Sequence, residues 1–139
     1  MSNRGADYEV QVSIVSVLVA NAGLQSLLGN PVRVYQDVPT NPQFPYLYVG
    51  DSQVLPDRFE CIDGKEIFVD IHAYSTDKGF SEVKRICAVI ADLLNDANLT
   101  VVEHNCVDIY LSNERTFKDS PSLTKHGVLT FRVRVEPTV

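Results

Sequence analysis

Glu66-Ile67-Phe68-Val69-Asp70-Ile71-His72-Ala73-Tyr74-Ser75 alternates strictly, and its reading decides the fold. Ile67, Val69, Ile71 and Ala73 point one way while Phe68, Asp70, His72 and Tyr74 point the other, as a half-buried strand requires. The period then changes. Val83, Ile86, Cys87, Ile90, Leu93 and Leu94 recur at spacings of three and four, the stripe of an amphipathic helix. Thr76 and Asp77 are its candidate caps and Asn95, Asp96 and Asn98 end it. A strand leading into such a helix builds a sheet with helices laid on one face.

Working outward, Tyr8 to Leu28 contains no Pro and is closed by Gly29 and Pro31, with Asp7 as a candidate N-cap. Val10, Val12, Ile14 and Leu18 also fit an alternating pattern, but the stretch is far longer than a usual strand, so a helix is expected, kinked or split at Asn21 to Gly23. Val32 to Val38 and Tyr46 to Asp51 are expected strands, separated by a stiff connection containing Pro39, Pro42 and Pro45. Ser52 to Lys65 is polar, with Pro56 and an Asp63-Gly64 pair, and is expected to link two strands as a long hairpin or arm, with a long loop at 52–65. Leu99 to Val102 should begin a strand that resumes at Val107, with Val107, Ile109 and Leu111 inward. A loop is expected at Lys118 to Ser122. The last strand, Gly127 to Glu136, puts Leu129, Phe131, Val133 and Val135 on one face and Thr130, Arg132, Arg134 and Glu136 on the other. The expected fold class is α+β: an antiparallel or mixed β-sheet with two main helices packed on one face, as one domain spanning residues 1–139.

Composition narrows the function. Apolar residues make up 45% of the 139-residue chain and charged residues 22%, ordinary globular usage that argues against disordered and fibrous classes. A formal charge of -6 is wrong for a protein that grips nucleic acid through many phosphates. The longest apolar run, near Ile14 to Ala22, is interrupted by Ser16 and Asn21 and is short for a membrane span, so no membrane partner is expected. Met1 to Glu9 leads into no small-residue cleavage site, so a cytoplasmic product is expected.

No chemical site stands out. The cysteines Cys61, Cys87 and Cys106 form no close pair and are expected as free thiols, Cys87 on the buried side of the second helix. His72, His104 and His126 lack metal-ligand spacing, and no cofactor is expected. No G-x-S-x-G, G-x-G-x-x-G or G-x-x-x-x-G-K-[ST] sequence occurs. Asp70 and His72 share a strand face with Tyr74, the one constellation open to an enzyme or small-ligand reading, and it has no partner Ser or Cys. The expected reading is therefore not an enzyme. Two features point to contacts instead. The Ser52 to Lys65 segment, at about fourteen residues, exceeds ordinary hairpin connections, which makes Asp57, Arg58, Phe59 and Glu60 interface candidates. Arg132 and Arg134, with Arg115 and Lys118 expected nearby, form either a solvated face or a surface for acidic groups on a neighbouring copy.

Val34-Tyr35-Gln36-Asp37-Val38-Pro39, followed by Phe44-Pro45-Tyr46-Leu47-Tyr48-Val49-Gly50, resembles the opening of the tail-completion, or tail-terminator, proteins of long-tailed bacteriophages and gene transfer agents. Val69 to Ser75, a helix with Gly79, Val83, Lys84 and Ile90, and His126 to Val133 continue the resemblance, which runs from about Val10 to Val135. The chain departs from the family pattern around Asp57 to Asp63. The resemblance implies a structural virion subunit that forms a hexameric ring at the head-proximal end of the tail tube, ends tube polymerisation and offers the head a docking surface. Implied partners are further copies of the chain, the tail tube protein and a head-tail connector or stopper protein, with DNA only passing through the channel. The implied place is the virion, after assembly in the bacterial host cytoplasm. A head-tail adaptor or minor tail protein is the alternative within this class.

Overall fold

The structure is a computed structural model, and it describes residues 5–59, 61–120 and 122–138. The elements in chain order are α1 (Ala6–Ala20), α2 (Ala22–Leu28), β1 (Val34–Tyr35), β2 (Tyr46–Phe59), β3 (Ile62–Ser75), α3 (Ser81–Leu94), β4 (His104–Lys118) and β5 (Lys125–Pro137). The strands form one five-stranded sheet in the order β1-β2-β3-β5-β4. β1 runs parallel to β2 and every other pair is antiparallel, so the sheet is mixed.

The core lies between this sheet and the helices. Ile67, Val69, Ile71 and Ala73 of β3 sit directly opposite Val133, Phe131, Leu129 and Gly127 of β5, and all but the glycine belong to one buried cluster. Val10, Ile14 and Leu18 of α1, Leu24 and Leu28 of α2, and Val83, Ile86, Cys87, Ile90 and Leu94 of α3 complete that cluster from above. Gly127 lets α3 approach: a Cβ there would stand 2.5 Å from Cys87 Sγ and 3.3 Å from Val83 Cγ2. Burial pushes the Cys87 thiol up to about 12, with Glu114 adding to the effect, so it behaves as a small apolar side chain.

The first helix is split as the sequence indicates. α1 and α2 meet at a bend of 79°, and Asn21 caps α2 by accepting a hydrogen bond from the Leu24 amide at 2.9 Å. Asp7 is not the cap of α1. Gly5 occupies that position, and Asp7 lies in the first turn, where its charge suits the helix dipole and it accepts a 2.9 Å bond from the Ser52 hydroxyl. Among the described residues no single helix is long and apolar enough to cross a membrane.

Several expected boundaries move. The first strand shrinks to Val34–Tyr35, because the chain turns away toward the proline-rich connection. α3 starts at Ser81 without a side-chain cap; Ser75 takes over the local work, donating to Glu82 at 2.6 Å and accepting from the Asp77 amide at 3.1 Å. Leu99 and Val101 are buried but form no strand, only a single bridge from Val101 to His104. Val107 faces outward and is 50% exposed, because register shifts at Cys106/Asp108 and Leu111/Asn113 break the alternation of β4.

Ser52 to Lys65 forms the expected hairpin arm, but the expected loop within it is corrected: Ser52–Phe59 extends β2, Ile62–Lys65 extends β3, and they pair continuously from Ser52↔Val69 to Phe59↔Ile62. Pro56 is tolerated because β1 covers only Leu47 and Tyr48, leaving this part of β2 as a free sheet edge. Gly64 does not make the turn. It sits within β3, where an added Cβ would lie 2.7 Å from the Asp57 carbonyl oxygen and 3.1 Å from that of Val135.

Gly127→Ala should lower the unfolding free energy by roughly 1–3 kcal/mol through overpacking against Cys87 and Val83. Urea denaturation measures it, and an unchanged midpoint would show that α3 does not rest where described.

Candidate assembly interface

The two arginines singled out on the last strand lie on the helix-free face of the sheet, and the structure gives both intramolecular partners. Arg132 forms an ion pair with Glu66 and holds its guanidinium over the Tyr110 ring, 5.5 Å from the centroid. Arg134 lies between two carboxylates, 3.2 Å from Asp57 Oδ2 and 3.3 Å from Asp108 Oδ2. A strip of alternating charge therefore runs across β2, β3, β5 and β4. It positions Asp57, which links the hairpin arm to the body of the sheet.

The remaining candidates fall in separate places. Arg58 is exposed and sits 3.9 Å from Asp63, near the tip of the arm. Phe59 pairs with Ile62 through the backbone at that tip, while Glu60 lies outside the described residues. Arg115 and Lys118 do not join Arg132 and Arg134, contrary to the sequence expectation. They occupy the other end of β4, opposite Val128 and Lys125, with Arg115 stacked over Phe117 at 5.0 Å and Lys118 on the opposite sheet face. The antiparallel register sets this spacing, since Arg132 and Arg134 stand opposite Tyr110 and Asp108 while Arg115 has already run on to Val128, which a linear count along the chain does not reveal.

The Asp70 and His72 pair does not form a base and its orienting carboxylate. Asp70 instead accepts a 2.6 Å bond from the Thr130 hydroxyl, and His72 turns to His126 on the neighbouring strand. Tyr74, stacked 4.9 Å from Tyr46, has its phenol pushed up to about 12 by burial first and then by Tyr46 and nearby acids, so it stays protonated. Tyr46 is likewise raised by burial, then by Asp119 and Tyr35. Among the described residues no group of three or more His, Cys, Asp and Glu side chains is placed to hold a metal ion. Cys61 is exposed near the arm tip, where it lines a shallow hollow with Ile62, Asp63, Asn105, Glu136 and Pro137.

What the fold offers for contact is edge and apolar surface. β4 is the last strand on one side of the sheet, and β2 is uncovered beyond Tyr48 on the other, so both present unpaired backbone groups. Exposed apolar side chains accompany them: Val107 and Tyr110 on β4, Val54 and Leu55 on the β2 arm. α1 carries Tyr8 and Val12 outward, although its inner side is already filled by Val10, Ile14 and Leu18.

Comparison with known proteins places this architecture. The family described as tail completion protein gp17 matches residues 12–136 of the chain. Among solved structures, a chain from the virion of a native gene transfer agent particle superposes with a TM-score of 0.87 at 24% identity, covering 96% of this chain and 99% of that one. No curated protein matches.

The Arg134 contacts are about two-thirds shielded and partly screened. A double-mutant cycle of Asp57→Asn with Arg134→Gln should therefore give a coupling of about 0.5–1 kcal/mol that shrinks in high salt. A coupling of zero in low salt would mean that the arm is not tied to the sheet through this pair.

Proposed function

The chain belongs to the tail completion protein gp17 family and is a structural component of the phage-type tail, and from that footing we propose that it is the tail terminator. In this reading residues 1–139 act as a single domain that assembles into a closed ring, taken as hexameric from the family resemblance. The ring caps the head-proximal end of the tail tube, stops its growth and presents a surface to a head-tail connector or stopper.

The observation that carries the reading is the pair of free sheet edges on opposite sides of one subunit. A heterologous contact that joins two different patches closes into a ring when its rotation permits, whereas a self-complementary patch stops at a dimer. We take the edge of β4 on one copy to meet the free edge of the β2 arm on the next. The bulges in β4 and the prolonged arm of β2 make those edges unlike each other, as head-to-tail association requires. Asp57, Arg58, Phe59 and Glu60 then fall at or beside the seam through the arm, and Arg115 and Lys118 through β4. Arg134 braces the seam from within by tying the arm to β5 through Asp57, and Arg132 ties β5 to β3 through Glu66. The -6 charge of the chain suits a channel through which DNA slides without sticking.

Val107→Lys and Val54→Lys each place a charge at one of the two edges without touching the core. Each variant alone should remain monomeric by native mass spectrometry under conditions where the unmodified chain forms rings. Their equimolar mixture should give dimers, since each supplies the edge the other lacks. A dimer of Val54→Lys alone would show that β4 pairs with itself, and an unmodified chain that neither forms rings nor binds tube ends would overturn the terminator reading. Particles lacking the protein should carry overlong tails; normal-length, unattached tails would assign the chain as a connector instead.

A further inference from the structure

The helix-free face carries a second polar assembly that ring closure does not use. His72 on β3 and His126 on β5 stand diagonally across neighbouring strands, His72 opposite Val128 and His126 opposite Tyr74. Nδ1 of His72 lies 2.9 Å from Nε2 of His126. At the far side of each ring stands a carboxylate: Asp119 Oδ1 is 3.0 Å from His126 Nδ1, and Asp51 Oδ2 is 3.4 Å from His72 Nε2. Four groups thus form one row from the bulge of β2 to the connection between β4 and β5. Aromatic rings wall it, with Tyr48 5.5 Å from His72 and Tyr74 and Phe117 4.3 and 4.7 Å from His126. The two imidazoles are only 14% and 12% exposed.

Counting protons along the row gives an unequal result for its three charge states. Three contacts need three protons. Ionised carboxylates supply none, a neutral imidazole supplies one and an imidazolium two. With both histidines neutral, His126 donates to Asp119 and His72 donates to His126, and Nε2 of His72 then faces Asp51 with no proton between them. That nitrogen is buried and without a hydrogen-bond partner. One proton taken from solvent fills all three contacts. A second puts two N–H groups head to head across the 2.9 Å gap and separates the rings.

We propose that Asp51, His72, His126 and Asp119 form a one-proton latch, which ties the β2 bulge, β3, β5 and Asp119 beyond the end of β4 together while the pair holds one extra proton and opens on the second. Titratable or charged groups face the row from every packed element: Asp51 and the neutral phenols of Tyr46 and Tyr48 from β2, Asp70 and the neutral Tyr74 from β3, Asp119 from the connection, Arg115 behind Phe117 from β4, and Asp37 beyond Tyr48. Burial first and the neighbouring His126 second push the His72 pKa below the ordinary imidazole value, against the pull of Asp51 and Asp70. A pair that resists its second proton requires that direction. Exclusion of the second proton thus contributes stability that is present above the unfolded imidazole value and is lost as the pH falls through the folded second step, the first proton staying bound. The latch therefore opens on acidification and frees Asp119 beside the Tyr46 and Tyr74 stack.

Nitrogen-15 NMR of the imidazoles in the whole chain tests this, with the urea-unfolded chain as reference. His72 and His126 should respond together in two separate steps, the second well below that of the unfolded chain and accompanied by faster exchange of the Asp119 amide, which donates to the Thr124 carbonyl. In His126→Gln, His72 should titrate in one step. Asp119→Asn keeps both rings and should speed exchange of the residue-119 amide by at least roughly tenfold near neutral pH, the loss of one charge-assisted hydrogen bond. Two independent single steps overlapping that of the unfolded chain, or unchanged exchange in Asp119→Asn, would overturn the latch. These measurements are made on the subunit and do not depend on ring formation.

Discussion

The inner register of β3 against β5 is the constraint on which the remaining structure depends. Ile67 to Val133, Val69 to Phe131, Ile71 to Leu129 and Ala73 to Gly127 stack four directly opposed pairs under α3. Side chains alternate along a strand, so a slip of one residue would carry this whole set to the helix-free face and bring Asp70, His72, Arg132 and Arg134 beneath the helices. Burying those charges without water would cost far more than any local gain. The same register that closes the core therefore places Thr130 against Asp70 and lines up the arginines with their acids on the other side.

Much of this was legible in the sequence where one physical rule acted alone. β3, β5 and α3 each bury one face and expose the other, so their periods of two and of three to four show in the residues. The split after α1 was legible because Asn21 is a strong capping residue placed just before a helical stretch. The continuous pairing of the arm at Ser52 to Lys65 was not, because pairing is a backbone property and both faces of the arm meet water. Polar residues there report exposure rather than the absence of a strand. Pro56 and the Asp63-Gly64 pair mimic turn signals, yet the first sits on a free edge and the second inside a crowded ladder. β4 was misread at Val107 for a related reason, since two bulges reset the alternation and neither has a residue signature of its own.

The candidate site divided along the same line. That Arg132 and Arg134 share the outer face followed from strand alternation, but their partners Glu66, Asp57 and Asp108 come from three different strands and needed the tertiary register. The grouping of Arg115 and Lys118 with them failed for want of that register. Nor could spacing along the chain have joined His72 to His126, which are separated by α3 and β4 and meet only because β5 lies between β3 and β4.

A subunit built this way has little to gain from a pocket. Its inner face is filled by helices, and the acids and arginines of its outer face largely satisfy one another. Contact energy is left mainly in unpaired backbone along β2 and β4 and in the apolar side chains beside them. Such edges ordinarily invite uncontrolled association, and proteins that keep them long either cover them or use them. Here the two edges differ in shape, one extended into an arm and the other broken by bulges, which disfavours pairing like with like and favours pairing each with its opposite. Head-to-tail pairing of unlike edges, repeated through a fixed rotation, ends either in a filament or in a closed ring. The terminator we propose requires the closed outcome, because a part that ends a tube must itself stop growing.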